Sequence, residues 1–274
     1  MVQTVSKPIR EFYSEQLGAA ECPASNGTRH PIAARRGFSE ILIEPAAAGR
    51  LHLVPAIRAL YFYDASRDPS NRWINLIADK DQALINRHVA GDTGKLLNSM
   101  VTLDDIYIGM VKPVKGWYID MDASLVNVVA STMVGAYSQG RQFTATAITD
   151  GTNTGTETLA QDGLIVIDAV PAAWTASSLE EILGEDSPSY DQRLYWFRLS
   201  HNATLTAGVE IEQVVPLTEI GAGTITTDSQ SIMVKASTEY TIPVRMDLPA
   251  WVGALEFIAQ ATSATTANLT WIQR

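Results

Sequence analysis

From residue 51 onward one pattern repeats along the chain: a few residues rich in β-branched and aromatic side chains, followed by a cluster of Gly, Pro, Asn, Asp or Ser. Runs this short do not build the apolar stripe of a helix, but they line the faces of strands, so the pattern fixes the class before any motif is considered. Strands are predicted at 57–63, 73–78, 106–111, 117–121, 126–137, 142–148, 164–169, 194–200, 209–215, 231–234, 239–246, 254–259 and 267–272. Asp150-Gly151 and Asp162-Gly163 are expected to supply positive φ where hairpins turn, and Lys115-Gly116 to do the same between two strands.

Helical signal is confined to 79–89 and 177–183, the second with Ser177 and Ser178 as caps and Glu180 and Glu181 in its first turn. Strands that do not alternate with helices disfavour a parallel, doubly wound sheet. The expected fold is all-β: an antiparallel β-sandwich or jelly-roll-like domain over 51–217, with an extended N-terminal arm (1–50) and a C-terminal β segment (218–274). The Gly/Thr-rich stretch 218–229 reads as a linker before that segment.

Residues 1–50 are broken by Pro8, Gly18, Pro23, Gly27, Pro31, Gly37 and Pro45, and only 38–43 shows a strand period. A segment of this kind is expected to be held by another surface, and a neighbouring subunit is the simplest one. Arg10, Phe12, Tyr13, Arg35, Arg36 and Phe38 are the interaction residues this expectation names.

Charge narrows the partners. Thirty acidic against twenty basic residues give −10, and residues 1–50 hold six cations and five acids, so the rest carries −11. Between Arg141 and Lys235 the only cations are Arg193 and Arg198. A body this acidic repels phosphate, so nucleic acid is not an expected partner. No run approaches the roughly 20 uncharged apolar residues of a membrane span, and residues 1–7 lack the apolar stretch of a signal peptide, so a membrane is not an expected partner either. Cys22, the only cysteine, excludes an internal disulfide framework and a multi-cysteine zinc site.

Several stretches imitate catalytic or ligand motifs. Ala136-Tyr137-Ser138-Gln139-Gly140 approximates the nucleophile elbow of serine hydrolases, which needs a strand, a strained turn and then a helix. Residues 141–148 are β formers, and His201 would be the sole triad histidine, so a hairpin turn accounts for the stretch better. Gly91-Asp92-Thr93-Gly94-Lys95-Leu96 lacks the first glycine and the Ser or Thr of a phosphate loop and reads as a surface turn. Asp120, Asp122 and Asn127 do not have the spacing of a calcium loop. His30, His52, His88 and His201 form no i, i+4 pair. Glu180/Glu181 and Glu185/Asp186 read as a solvated face. Trp117, Tyr118, Trp174, Tyr195, Trp196 and Phe197 are expected in the core, with a sugar-binding groove as the alternative. No catalytic residue, metal site or cofactor is expected.

A family resemblance runs through 103–215, about two fifths of the chain. Its pieces are Asp105-Ile106-Tyr107-Ile108-Gly109, Lys112-Pro113, Gly116-Trp117-Tyr118-Ile119-Asp120, Thr149-Asp150-Gly151-Thr152 and Leu159-Ala160-Gln161-Asp162-Gly163. They continue with Pro171-Ala172-Ala173-Trp174, Leu194-Tyr195-Trp196-Phe197-Arg198-Leu199, Leu205-Thr206-Ala207 and Val209-Glu210-Ile211. In order and spacing these resemble a β-sandwich domain of tailed-bacteriophage virion structural proteins. Where that family often has a Trp-Asn-Gly turn, this chain has Tyr137-Ser138-Gln139-Gly140. The resemblance implies a non-enzymatic accessory component of the particle, such as a head-decoration (cement), neck or tail protein. Its implied partners are copies of itself and neighbouring virion proteins such as the major capsid or tail proteins, and its implied location is the virion, after synthesis in the host cytoplasm. A carbohydrate- or receptor-binding sandwich with Trp117 or Trp174 as stacking platforms is the alternative.

Overall fold

The computed structural model describes residues 11–19, 22, 32–33, 38–76, 95–97, 100–184, 186–188, 193–217, 231–234, 244–247, 252–260 and 263–273. The protein is all-β, with antiparallel sheets, and it divides into two compact units. One unit is Pro55–Ile220, and the other joins Met1–Val54 to Gly221–Arg274. No helix among the described residues is long and apolar enough to cross a membrane.

The first unit is a two-sheet sandwich. Its larger sheet runs in the order β11 (Gln142–Thr146), β10 (Met133–Gln139), β15 (Leu194–His201), β8 (Asp105–Met110), β5 (Ile57–Tyr63), β6 (Trp73–Asn75), with the short β14 (Ala176–Ser177) also on β15. The smaller sheet runs β12 (Ile148–Asp150), β13 (Gly163–Ile167), β9 (Gly116–Met121), β16 (Glu210–Leu217), β7 (Lys95–Leu96). Period-two alternation puts Leu60, Phe62, Ile106, Ile108, Phe197 and Leu199 of the large sheet into the same buried cluster as Trp117, Ile119, Ile165 and Ile211 of the small one. The Trp117 and Phe197 rings lie 4.6 Å apart in that cluster. At about 25 cal/mol per Å2 of apolar area, burial of side chains this large supplies the main drive for closing the sheets.

The opposite face of the large sheet is also apolar. Ala59, Tyr61, Tyr107, Leu194 and Trp196 form a second cluster there with Leu179 of α1 (Leu179–Leu183). That helix begins with a capping box, in which the Ser178 hydroxyl accepts from the Glu181 N–H and the Glu181 carboxylate accepts from the Ser178 N–H.

The second unit holds two four-stranded sheets. One is β1 (Glu11–Leu17), β20 (Ala267–Gln273), β3 (Glu40–Pro45), β18 (Val244–Asp247), and the other is β17 (Ser231–Val234), β4 (Gly49–Pro55), β19 (Val252–Ala259), β2 (Ile32–Ala33). Ile41, Ile43, Leu269 and Trp271 of the first sheet share a core with Leu51, Leu53, Leu255 and Phe257 of the second. β1 pairs with β20 along its whole length, from Glu11 opposite Gln273 to Leu17 opposite Ala267. The stretch read as an arm therefore contributes strands that hydrogen-bond to the chain's own C-terminal strand, and the stretches read as arm and C-terminal segment fold together. The buried Trp271 indole N–H donates to the Glu15 carboxylate at 2.7 Å, tying the same two strands through their side chains. The predicted helix at 79–89 and the linker at 218–229 lie outside the described residues.

Candidate functional site

The elbow-like stretch is a hairpin. β10 turns through Gly140 and Arg141 into β11, with Gln139 opposite Gln142 and Gly140 at φ 62° in the first central position, where a two-residue hairpin uses glycine. The Ser138 hydroxyl is fully buried, donates to the Thr175 carbonyl at 2.7 Å and accepts from the Trp196 N–H at 3.1 Å. His201 lies opposite Met133, five residues from Ser138 and so about 17 Å away along the strand. The structure does not bring these two side chains together as a dyad.

The other imitations resolve in the same direction. Asn127, buried in the loop before β10, donates from Nδ2 to the Val129 carbonyl, the Ser131 hydroxyl and the Thr158 carbonyl, and its Oδ1 accepts from Val129 N–H and from the Thr206 N–H and hydroxyl. Asp122 accepts from the Ser124 N–H and hydroxyl, which hold its carboxyl below the usual range. These residues are turn and loop ties, and no group of three His, Cys, Asp or Glu positioned for a metal occurs among the described residues. His52 and His201 are in different units, while His30, His88 and Gly91 to Gly94 lie outside the described residues. Lys95 and Leu96 form β7.

The pieces of the resemblance are joints of the sandwich. Asp150 accepts from the Thr152 N–H and hydroxyl and from the Thr158 hydroxyl. Thr152 in turn accepts from the N–H of Leu159, whose positive φ of 54° turns its side chain into the core. The Asp162 carboxylate accepts the Met121 N–H at 2.9 Å, linking the long β12–β13 loop to β9. Gly151 and Gly163, expected to supply positive φ, do not adopt it. Their role is close approach: a Cβ on Gly163 would sit 2.1 Å from the Gly151 carbonyl oxygen, so nothing larger than glycine fits. The Trp174 indole N–H donates to the Trp196 carbonyl, and that of Trp196 to the Ser177 carbonyl.

Trp117 and Trp174 are 0% and 4% exposed, so neither can serve as a stacking platform. This corrects the assignment of Trp117 and Trp174 as platforms, because a platform needs an open ring face. Of the residues assigned to the arm interface, Tyr13 is exposed on β1, and Phe38 is half-buried against the second unit's core. Phe12 lies on β1 opposite Ile272, and Arg10, Arg35 and Arg36 lie outside the described residues.

No family model matches the chain, and no curated protein matches it.

What sequence reasoning missed is the aromatic row on the outer face of the large sheet. Trp73 packs on Tyr63 at 4.9 Å and on Tyr107 at 5.1 Å, Tyr107 on Phe143 at 5.5 Å, and the Arg198 guanidinium sits 5.3 Å from the Phe143 ring centre. Tyr107 donates to Asp105, and burial, with that carboxylate beside it, pushes its phenol above the ordinary range. The signal was present: β5 places Leu60 and Phe62 on one face and Tyr61 and Tyr63 on the other, and a strand apolar on both faces is covered on both. Trp73, Tyr63 and Phe143 are only partly covered.

At the edge of this row, the β5–β6 connection forms a shallow, open depression of about 640 Å3 lined by Ser66, Arg67, Asp68, Ser70, Asn71 and Trp73. Two buried carboxylates shape it. Asp104 accepts the Ala65 N–H at 2.7 Å and the Val101 N–H at 2.7 Å, and burial, outweighing those bonds, raises its carboxyl. Burial works against the Asp64 charge as well, but bonds from Ser66 and Arg67 prevail and lower its carboxyl.

Proposed function

We propose that the chain is a non-enzymatic structural component of a tailed-phage particle, acting by packing against copies of itself and against neighbouring virion proteins. The supporting observation is where the residues of the resemblance fall. All lie within the unit Pro55–Ile220, and the Asp150, Asp162 and Trp174 pieces tie loops to themselves or to a neighbouring strand, the β12–β13 loop to β9 and the segment before β14 to β15, rather than converging on a cleft. Residues with that role preserve a scaffold, and a scaffold works through its surface.

One end of the sandwich offers such a surface. Leu103 and Val128 are 71% and 70% exposed, with Val129 beside them at 40%. Their loops are tied together at that end by Leu205 N–H to the Met100 carbonyl, Val128 N–H to the Thr206 hydroxyl and Thr132 N–H to the Asn202 side chain. Apolar side chains held this far into water on braced loops fit burial against another protein. Sedimentation velocity of the full chain tests the reading. Species heavier than the 29.8 kDa monomer are expected, shifting to monomer in a Leu103→Asp/Val128→Asp variant. A monomer throughout the micromolar range, together with absence of the chain from purified particles by mass spectrometry, would refute it.

A further inference from the structure

We infer that the depression beside Trp73 is a binding site for a neutral saccharide, a role separate from subunit packing. Three observations combine. The first is an aromatic ring held in place: Trp73 is fixed against Tyr61, Tyr63 and Tyr107, is half-buried rather than fully covered, and lines the depression. A rigid indole offers an apolar plane to the C–H face of a sugar ring at little entropic cost.

The second is the polar set around that plane. Ser66, Ser70, Asn71, Asp68 and Arg67 supply hydroxyl, amide, carboxylate and guanidinium groups, the donors and acceptors that vicinal hydroxyls need. The Arg67 guanidinium is paired with Asp64 at 2.9 Å, and Asp68 adds a second negative charge to the rim. The site therefore has no surplus positive charge for a sulfated or sialylated glycan, and a neutral one matches it.

The third is preorganisation. Asp64 and Asp104 are 4% and 1% exposed, and both carboxylates hold the backbone of an otherwise exposed loop. Asn71 N–H bonds the Asp68 carbonyl, Asp64 N–H the Arg72 carbonyl, and Arg72 Nε the Arg67 carbonyl. Burying carboxylates is costly unless they are hydrogen-bonded, and here the bonds they accept fix the lining in one shape. The volume falls within the roughly 300–1,000 Å3 of small-ligand sites.

The test is an array of neutral glucans, galactans and N-acetylhexosamine oligomers alongside sialylated and sulfated glycans, probed with the full chain. Hits are then titrated by tryptophan fluorescence. The inference expects at least one neutral series to bind, with affinity falling about tenfold or more in Trp73→Ala and in Asn71→Ala, and largely kept in Trp73→Phe. Asn71 is exposed, so its variant folds even where loss of the indole disturbs the aromatic row. Binding confined to acidic glycans, no binding on the array, or binding indifferent to both alanine variants would each overturn it.

Discussion

His201 ends β15 with its ring in the sandwich interior, 4% exposed, and neither ring nitrogen has a hydrogen-bond partner. Burial disfavours the imidazolium and pushes the pKa down from 6.5 to about 4, with the charge of Asp150 pulling weakly the other way. Between pH 6.5 and 4 the unfolded chain takes up a proton that the folded chain refuses, so stability is full above about pH 6.5 and falls with pH through this window. At 1.36 kcal/mol per tenfold difference in proton affinity, the loss approaches about 3 kcal/mol at pH 4. Asp104 acts in the opposite sense, because its raised carboxyl holds a proton in the folded state that the unfolded chain has released. The comparison is therefore best made in an Asp104→Asn background. Urea unfolding, followed by fluorescence at half-unit steps from pH 7 to pH 4, gives the slope, and His201→Leu should flatten it while being no less stable at pH 7, since it removes two unpartnered buried nitrogens. The imidazole proton resonances should titrate near pH 4. Titration near 6.5, or parallel stability curves for His201→Leu and its parent background, would refute the account.

Gly163→Ala should cost about 3 kcal/mol or more, because its Cβ meets backbone rather than a movable side chain; thermal unfolding checks this, and the exposed Gly140→Ala, with open space but φ 62°, should cost only about 1–2 kcal/mol. Asn127→Ala removes the hub of the 122–132 loop and leaves buried partners unsatisfied, so a loss of about 2–4 kcal/mol is expected, with faster hydrogen exchange at Val129 and Thr206. Ser138→Ala should lower stability by about 1–3 kcal/mol by orphaning the Trp196 N–H, and a fluorophosphonate probe should label neither parent nor variant. Labelling of the parent that disappears in the variant would restore the hydrolase reading.

The parts of the fold visible in the sequence are those decided locally. The strand at 57–63 and the one at 231–234 were set by their apolar runs, the 139–142 hairpin by Gly140, and α1 by Ser178 and Glu181. Residues 126–132 read as strand because Val126, Val128 and Val129 favour it, yet they form a loop whose polar groups bond to Asn127 and Thr206 instead of a ladder. β1 was missed for a different reason. Glu-Phe-Tyr-Ser-Glu-Gln-Leu is polar by composition, and its partner lies 256 residues away, so no local window contains the pairing that makes it a strand.

The same distinction bears on function. The residues that most resembled motifs, Ser138, Asp150, Asp162 and Trp174, have buried or backbone-directed bonds whose partners lie within the sandwich. Their bonds make them joints of the fold, and close-packed joints tolerate few alternatives. The residues that line the depression carry no motif at all: Trp73 stands at a sheet edge, and the exposed Ser70 and Asn71 occupy a single 3-10 turn. Their placement depends on Asp104, about thirty residues further along, reaching back to the Ala65 N–H. Support of this kind comes from tertiary contacts rather than from a local stretch of chain, so a surface assembled in this way shows no motif in the sequence.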